Sequence, residues 1–338
     1  VVATSRRAVG DPKRMNLLIT KTARCLFAVF LFQFATASLA ERPLKPYQYT
    51  KLEMGVQCRI TTYASTEADA RRACTSAFKR IDELEQIMSD YRANSELNRL
   101  CDKAGDGPQQ VSPDLLKILG LSQALSKHSG GAFDVTASPL IRVWRQARKT
   151  KQMPSVVELK QAKALTNWQF VKLDARRRTV CLTKPGMRLD LGGIGKGYAC
   201  DAAVRVLRQQ GMKSALVEMG GDIAAGDPPP GKKGWRIAIA ESPGVLSGYR
   251  LLKNCGISTS GDTVQFVEIG GRRYSHVLDP RTSWALTNHI AVTVIAGDAT
   301  TSDGLSTAIS VLGEQERREL RTHYRSTTAY VRKVSADD

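Results

Sequence analysis

The chain has 338 residues, of which 42% are hydrophobic and 24% are charged, as in an ordinary globular protein. This length allows one large domain or two moderate ones with a real core, and it excludes a small scaffold that depends on disulfides for stability. The formal net charge of +18 is unusually high; it reflects either a general basic surface or attraction to polyanionic ligands or a membrane surface.

The N-terminal segment predicts export from the cytoplasm. Lys21 and Arg24 form a basic n-region. An apolar h-region at residues 25–34 and a small-x-small cleavage site at residues 38–40 follow it. The apolar run is too short to span a bilayer as a helix. We therefore predict that residues 1–40 comprise an upstream extension and a cleaved signal peptide.

The mature chain, residues 41–338, is expected to form one domain in the periplasm or another extracytoplasmic compartment. It would carry 44 basic and 31 acidic residues, a net charge of +13. Nucleic acid is a poor partner there, and the chain lacks the interleaved basic and aromatic residues of an RNA-binding signature. The six remaining cysteines are far apart and lack zinc-site spacing, so they predict neither a zinc site nor a particular disulfide pairing.

Two helices are predicted in the first half of the mature chain. Thr66 begins the first, whose apolar residues recur at spacings of three and four: Ala70, Ala73, Ala77, Ile81, Leu84 and Met88. The second begins at Ser112, an N-cap residue that is followed by Pro113 at the first helical position, and it ends near Gly130.

Strands are predicted mainly in the second half. The apolar patterns indicate, in chain order, a strand at 187–191, a helix at 198–210, strands at 214–219, 235–240 and 291–296, and a helix at 302–313. The first three elements would form a β-loop-α-β unit. Helices early and strands late, with one crossover unit, predict an α+β fold in which helices pack on a mixed β-sheet.

A glycine-rich segment, Asp-Leu-Gly-Gly-Ile-Gly-Lys-Gly at residues 190–197, is called the glycine loop below. Backbone N–H groups and the positive end of a helix dipole bind phosphate at such a loop, and Lys196 adds a charge. The Walker A pattern fails because Gly197 replaces the Ser or Thr after the lysine, and the spacing of a dinucleotide fingerprint is also absent. The loop therefore predicts either a phosphate site or a close packing contact that requires glycine.

Asp303 and Thr307 are four residues apart and share one face of the last predicted helix. A carboxylate and a hydroxyl are hard oxygen ligands that suit Mg²⁺, which often bridges to a substrate phosphate. The alternative is structural, because Asp303 favours a helix N-terminus and Thr307 can bond to a backbone carbonyl.

A polar cluster follows a strand-like run at residues 276–282. His276 or Asp279 is a candidate general base, and Arg281 is suited to holding an anion. A lone histidine is more often structural, but so dense a polar cluster is typical of a loop at a functional site.

Three further polar segments have local explanations as well as functional ones. Tyr91 lies at the end of a predicted helix, and its ring could simply pack there. Asp134 follows a glycine pair and suits an Asx-type turn. Asp262 and the Met-Gly-Gly-Asp-Ile segment at residues 219–223 are again glycine-acid turns.

Taken in order, these segments resemble the FAD:protein FMN transferase (ApbE) family over about residues 50–315. The motifs that carry the resemblance are Ser-x-Tyr at 89–91 with Ser-Glu at 95–96, Gly-x-Phe-Asp-x-Thr at 131–136, Asp-Leu-Gly-Gly-Ile-x-Lys-Gly-Tyr…Asp at 190–201, Gly-Gly-Asp-Ile at 220–223, Ser-Gly-Asp at 260–262, His-x-x-Asp-Pro-x-Thr at 276–282, and Asp-x-x-Ser-Thr at 303–307.

The resemblance implies a T-fold-like flavin transferase architecture and a defined reaction. Such enzymes cleave the pyrophosphate of FAD with Mg²⁺ and transfer FMN to a Thr or Ser hydroxyl of a target protein, releasing AMP. The implied partners are FAD and a flavoprotein of a membrane electron-transfer complex, with peripheral membrane contact through the basic surface. The implied residue roles are Mg²⁺ ligation by Asp303, Thr307 and the backbone carbonyl of Gly195; diphosphate binding by Gly193 and Lys196; FAD binding by Tyr91, Asp134, Asp262 and His276; and catalysis by Lys196 with His276 or Asp279 as base.

The chain departs from the family pattern at three places. Ser283 stands where glycine is usual, Gly304 stands where alanine is usual, and residues 263–265 replace the usual aromatic and charged residues. The resemblance therefore leaves two other functions open: an Mg²⁺-dependent FAD pyrophosphatase with water as acceptor, and a periplasmic FAD-binding protein without catalysis.

Overall fold

A seven-stranded antiparallel sheet is the framework of the fold. The computed structural model describes residues 43–239, 248–261 and 266–333, so the predicted signal peptide and Asp262 lie outside the described residues. The strands are β1 Lys45–Glu53, β2 Val56–Ala64, β3 Gln109–Gln110, β4 Val171–Asp174, β5 Thr179–Leu182, β6 Ala215–Met219, β7 Asp222–Ala225, β8 Trp235–Ala238, β9 Tyr249–Leu252, β10 Cys255–Gly261, β11 Phe266–Ile269, β12 Arg272–Ser275, β13 Leu278–Asp279, β14 Trp284–Ala285, β15 Ile290–Ala296 and β16 Thr328–Lys333.

The strand order in the large sheet is β1-β2-β6-β7-β10-β15-β16. Each neighbouring pair in this order is antiparallel. Burial alternates along β6, so every second side chain reaches the core. The remaining described strands form a three-stranded sheet, β3-β5-β4, and three two-stranded ribbons.

Helices cover the sheet and supply most of the core. They are α1 Glu67–Met88, α2 Glu96–Asp102, α3 Pro113–His128, α4 Ser138–Thr150, α5 Val156–Ala164, α6 Gly195–Gln209, α7 Ala299–Val311 and α8 Glu314–His323. Helix α6 packs against α1 and α7, and α7 also packs against β10 and β15. The main core joins buried residues of α1, α3, α6 and α7 to those of β2, β6 and β15. No helix of the described ranges combines the length and apolar character needed to cross a membrane.

Local sequence signals placed the starts of the two predicted helices in the first half of the chain correctly. The Thr66 side chain accepts a hydrogen bond from the Asp69 backbone N–H at the start of α1. Ser112 accepts one from Leu115 N–H at the start of α3, with Pro113 as the first helical residue. Both are N-caps that depend on a few neighbouring residues, so the sequence alone predicts them.

The predicted strand at 187–191 is wrong, and with it the β-loop-α-β unit. Leu189 and Leu191 are buried as a strand pattern requires, but this segment joins no ladder. The Asp190 N–H instead donates to the Val135 carbonyl, in a short 3₁₀ turn. Because no strand lies at 187–191, directly before α6, the predicted crossover unit is absent. All strand pairs of the described residues are antiparallel rather than mixed.

Candidate active site around the glycine loop

The glycine loop leads directly into helix α6, which begins at Gly195 rather than at the predicted position 198. Within the described part of the chain, no side chain caps this helix start. Within the loop, the Asp190 carboxylate accepts a hydrogen bond of 2.7 Å from Gly192 N–H. The loop therefore presents the positive end of a helix dipole, as an anion site requires.

Gly197 is required for close contact between α6 and α7. A Cβ at this position would lie 2.1 Å from the Ala299 carbonyl oxygen and 2.8 Å from Asp303 Cβ. Its N–H donates to Asp303 Oδ2 over 3.0 Å. One glycine thus serves packing and also brings the glycine loop to the acidic residue of α7, so both interpretations of the loop have a structural counterpart.

Replacing Gly197 by alanine is expected to lower the free energy of unfolding by roughly 3 kcal/mol or more, because backbone atoms rather than a flexible side chain occupy the space. Chemical denaturation followed by circular dichroism measures this loss. The matched control is Gly211→Ala at the end of α6, where open space surrounds the Cβ position but φ is +85°. A loss at Gly197 no larger than at Gly211 would show that the helices separate at little cost.

Three charged side chains meet behind the glycine loop. The Lys196 ammonium lies 3.0 Å from Asp222 Oδ2 and 3.7 Å from Asp303 Oδ2. It also donates to the Gly192 carbonyl over 3.2 Å. Asp222 and Asp303 are 3% and 4% exposed. We call Lys196, Asp222 and Asp303 the acid-lysine cluster.

The acid-lysine cluster holds more negative than positive charge. Burial, together with the nearby charge of Asp222, raises the pKa of Asp303 to about 7. Burial would lower the pKa of Lys196, but the charges of Asp303 and Asp222 outweigh it and raise that pKa. Asp222 Oδ2 is buried and, apart from its ion pair with Lys196, accepts no hydrogen bond of regular geometry from the residues that the structure describes. Buried carboxylates with incomplete compensation fit a bound cation.

Thr307 lies beside the same loop. Its hydroxyl oxygen would be 3.1 Å from a Cβ at Gly193. The glycine loop therefore contacts α7 at two points, Gly193 beside Thr307 and Gly197 beside Asp303. A shared Mg²⁺ site of Asp303, Thr307 and the Gly195 carbonyl stays a prediction.

Asp222 belongs to this site but was not among the predicted site residues. It is the first residue of β7 and follows a tight turn in which Gly220 and Gly221 have φ of +56° and +97°. Two consecutive residues with positive φ suit a hairpin turn made of glycine. The Gly-Gly-Asp-Ile motif could have identified Asp222 from the sequence. It was interpreted as a glycine-acid turn, and the carboxylate within it was therefore not assigned to the site.

Helix α7, which carries Asp303, is held at its N-terminus from α6. The Asp201 carboxylate accepts hydrogen bonds from the N–H groups of Ala299 and Thr300, over 2.9 and 2.8 Å. Gly304, where the family pattern has alanine, faces Leu125: a Cβ there would lie 2.6 Å from Leu125 Cδ2. The leucine side chain fills the space that an alanine methyl group would need.

The segment at residues 276–283 is anchored on several sides. The Asp279 carboxylate is buried and accepts hydrogen bonds from the Arg281 guanidinium at both oxygens, Nε to Oδ1 and Nη2 to Oδ2, each over 3.0 Å. Lys163 donates to the Pro280 carbonyl over 2.7 Å. His276 is half-buried in this segment. Because Arg281 engages both carboxylate oxygens of Asp279, this geometry argues against Asp279 as the base. The role of His276 stays a prediction.

Ser283 adopts a backbone conformation that favours glycine, with φ of +73°. The Trp144 indole N–H donates to the Ser283 carbonyl over 3.0 Å, and Ser283 N–H donates to the Asp279 carbonyl over 2.8 Å. These bonds hold the segment in the shape that glycine would adopt with less strain. The departure from the family pattern at this position is therefore a strained residue.

Replacing Ser283 by glycine is expected to raise the free energy of unfolding by roughly 0.5–1 kcal/mol. The left-handed conformation costs a residue with a Cβ about 1–2 kcal/mol, and this exceeds the backbone entropy that glycine loses. Thermal unfolding of the two proteins measures the change. Ser138→Gly is a control at negative φ, where the same replacement should destabilise. A lower unfolding temperature for Ser283→Gly would contradict the strain argument.

Tyr91 and Asp134 lie in different settings. The Tyr91 side chain is exposed, at 78%. Asp134 Oδ1 accepts hydrogen bonds from the N–H and hydroxyl of Thr136, and Oδ2 accepts one from Trp168 N–H. Asp134 thus makes the Asx-type turn considered above, and its predicted part in FAD binding stays a prediction.

The chain is similar to known proteins over most of its length. The model of the ApbE family matches residues 54–331. The chain is 32% identical to the FAD:protein FMN transferase of Haemophilus influenzae over 279 residues, which cover 77% of this chain and 80% of that protein. The flavinyl transferase ApbE of Pseudomonas stutzeri, in its apo form, is 31% identical with a TM-score of 0.75, and the match covers 85% of this chain and 90% of that one.

A second solved structure, the ApbE protein of Thermotoga maritima, is 28% identical with a TM-score of 0.76, over 84% of this chain and 93% of that chain. The predicted α+β class is confirmed, with the sheet antiparallel in the described residues. The chain belongs to the ApbE family.

Proposed function

We propose that this chain transfers FMN from FAD to a Thr or Ser hydroxyl of an extracytoplasmic protein, with Mg²⁺ as the resident metal. The enzyme is of the FAD:protein FMN transferase type, as its relatives are. The observation that carries the proposal is the acid-lysine cluster, with its incompletely compensated carboxylates, directly beneath the N-terminus of α6.

Asp303, Thr307 and the Gly195 carbonyl would hold the Mg²⁺. Carboxylate, hydroxyl and carbonyl oxygens are the hard ligands that this ion prefers, and the buried negative charge of Asp222 adds attraction. When bound, the ion supplies charge stabilisation on phosphate oxygens.

The chain's own residues would bind and orient the reactants. The Gly193 N–H and the helix dipole would hold the FAD diphosphate at the start of α6. The N–H groups of the neighbouring loop residues Gly192, Ile194, Gly195 and Gly197 donate within the protein. His276 would accept the proton of the acceptor hydroxyl while the hydroxyl oxygen forms a bond to the FMN phosphorus. The phosphoanhydride bond between FMN and AMP breaks in the same transfer, and AMP leaves with the bridging oxygen.

Lys196 has a supporting part in this scheme. Its ammonium is engaged by Asp222 and by the Gly192 carbonyl, so it fixes the loop and balances charge. Direct contact between Lys196 and the diphosphate, which the sequence resemblance implied, would require this ion pair to open.

The cellular setting rests on sequence features. The predicted signal peptide supports action in the periplasm or another extracytoplasmic compartment. The basic mature chain suits an acidic target or a membrane surface. A flavoprotein of a membrane electron-transfer complex is the partner that we propose.

One experiment separates this function from its alternatives. The protein is incubated with FAD, Mg²⁺ and a flavoprotein domain that has a candidate Thr acceptor; intact-mass spectrometry detects FMN on the target, and chromatography follows AMP and free FMN. Labelled target that disappears with EDTA supports the transferase. AMP with free FMN and an unlabelled target favours the pyrophosphatase, whereas bound but intact FAD favours a binding protein.

A further inference from the structure

Arg145 of helix α4 joins two separate parts of the site. Its Nη1 donates to Asp90 Oδ2 over 2.7 Å, and its Nη2 donates to Asp190 Oδ2 over 2.9 Å. Both carboxylates are largely buried, and Arg145 is half-buried. The guanidinium thus uses its two terminal nitrogens on two different chain segments, a geometry that its planar fork allows and a lysine cannot reproduce.

The first segment carries Tyr91. The guanidinium carbon of Arg145 lies 4.8 Å from the centroid of the Tyr91 ring, a cation–π contact. The ring is otherwise largely exposed. Its backbone N–H donates to Ser89 Oγ over 3.2 Å, which orients the main chain, whereas the contact with Arg145 involves the ring itself.

The second segment is the glycine loop. Asp190 Oδ2 binds Arg145, and its other oxygen, Oδ1, accepts a hydrogen bond from Gly192 N–H over 2.7 Å. Asp190 therefore connects Arg145 to the loop backbone at Gly192, two residues along the chain. One guanidinium thereby links an exposed aromatic ring to a phosphate-type loop.

FAD combines the two chemistries that these segments suit, flat aromatic rings and a diphosphate. We propose that Arg145 is a positioning residue that holds the Tyr91 ring and the glycine loop in register, so that one FAD molecule engages both at once. This inference rests on the proposed function. It assigns Arg145 a part in the affinity for FAD and leaves the group-transfer step to other residues.

A double-mutant cycle tests the coupling. The dissociation constant of FAD is measured by flavin fluorescence for wild type, Arg145→Lys, Tyr91→Ala and the double variant, and kcat is taken from AMP release at saturating FAD. We expect each single variant to raise the dissociation constant about tenfold, because stacking and charge-assisted hydrogen bonds are lost. The double variant should raise the dissociation constant by much less than the hundredfold expected from two independent losses. The kcat of Arg145→Lys should stay within about twofold of wild type, since no transition-state contact is removed.

Arg142→Lys is the matched control, because Arg142 is exposed on the same helix one turn earlier. Equal FAD affinity of Arg145→Lys and Arg142→Lys would overturn the inference, as would a fully multiplicative double variant. Wild type that binds no FAD would instead overturn the proposed function.

A second variant tests the same bridge in case Arg145→Lys does not fold. Asp90→Asn weakens only the arm of the bridge that leads towards Tyr91 and leaves the pair of Arg145 with Asp190 in place. It should weaken FAD binding and again be non-additive with Tyr91→Ala. An effect of Asp90→Asn on the unfolding temperature alone would mean that the bridge is merely structural.

Discussion

Replacing Asp303 by alanine is expected to abolish Mg²⁺-dependent release of AMP, with a loss of at least about a thousandfold in kcat/KM. The carboxylate is the charged member of the proposed ligand set, and Thr307 with a carbonyl oxygen offers only neutral donors. The variant should remain folded. Burial and the charge of Asp222 raise the pKa of Asp303 to about 7, so the ionised form of this side chain is costly in the metal-free protein.

The measurement is AMP release by chromatography over a range of Mg²⁺ concentrations, with circular dichroism as the check on folding. Asp298→Asn is the matched control: this residue caps the same helix by accepting from Thr301 N–H over 2.7 Å, and asparagine caps equally well. Full turnover in Asp303→Ala, or a loss equal to that of Asp298→Asn, would show that Asp303 does not hold the metal.

Features governed by neighbouring residues were predictable from the sequence. The caps at Thr66 and Ser112 need only a side chain and a backbone N–H three residues later. The spacing of the apolar residues in α1 likewise predicts which face of the helix is buried, whichever element packs against it. Ser283 stands where glycine is usual in the family, and its positive φ agrees with that pattern.

Features that depend on distant segments were not predictable from the sequence. The alternation at 187–191 predicts burial, and both leucines are buried, but a strand also needs a partner, and the partner here is a 3₁₀ turn more than fifty residues earlier. The acid-lysine cluster likewise joins residues from α6, β7 and α7. The order of the motifs along the chain was enough to identify the family. The pairing of Lys196 with Asp222 became visible only in the three-dimensional structure.

His276 is the second residue whose loss should have a large effect. Replacing it by alanine is expected to lower the rate of FMN transfer by about 10²–10⁴-fold, the usual contribution of a general base, while the dissociation constant of FAD changes by less than about threefold. The reason is that proton transfer from the acceptor hydroxyl belongs to the transition state, whereas in the proposed function FAD would be held mainly by the glycine loop and the Tyr91 ring. Asp279→Asn should act differently, because it removes one of the two carboxylate partners of Arg281, the other being Glu316, and so disturbs the anchoring of the segment.

The experiment compares single-turnover labelling of a target protein, followed by intact mass, with FAD binding followed by fluorescence. His323→Ala is the control histidine: it is exposed on α8 and stacks on His128 with 4.2 Å between ring centroids, outside the proposed site. A loss of labelling that recovers as pH rises would support the role of base, since hydroxide and deprotonated buffer can then take the proton. Equal losses in labelling and in FAD affinity would make His276 a binding residue, and the assignment of the base would then return to Asp279, whose carboxylate would first have to release Arg281.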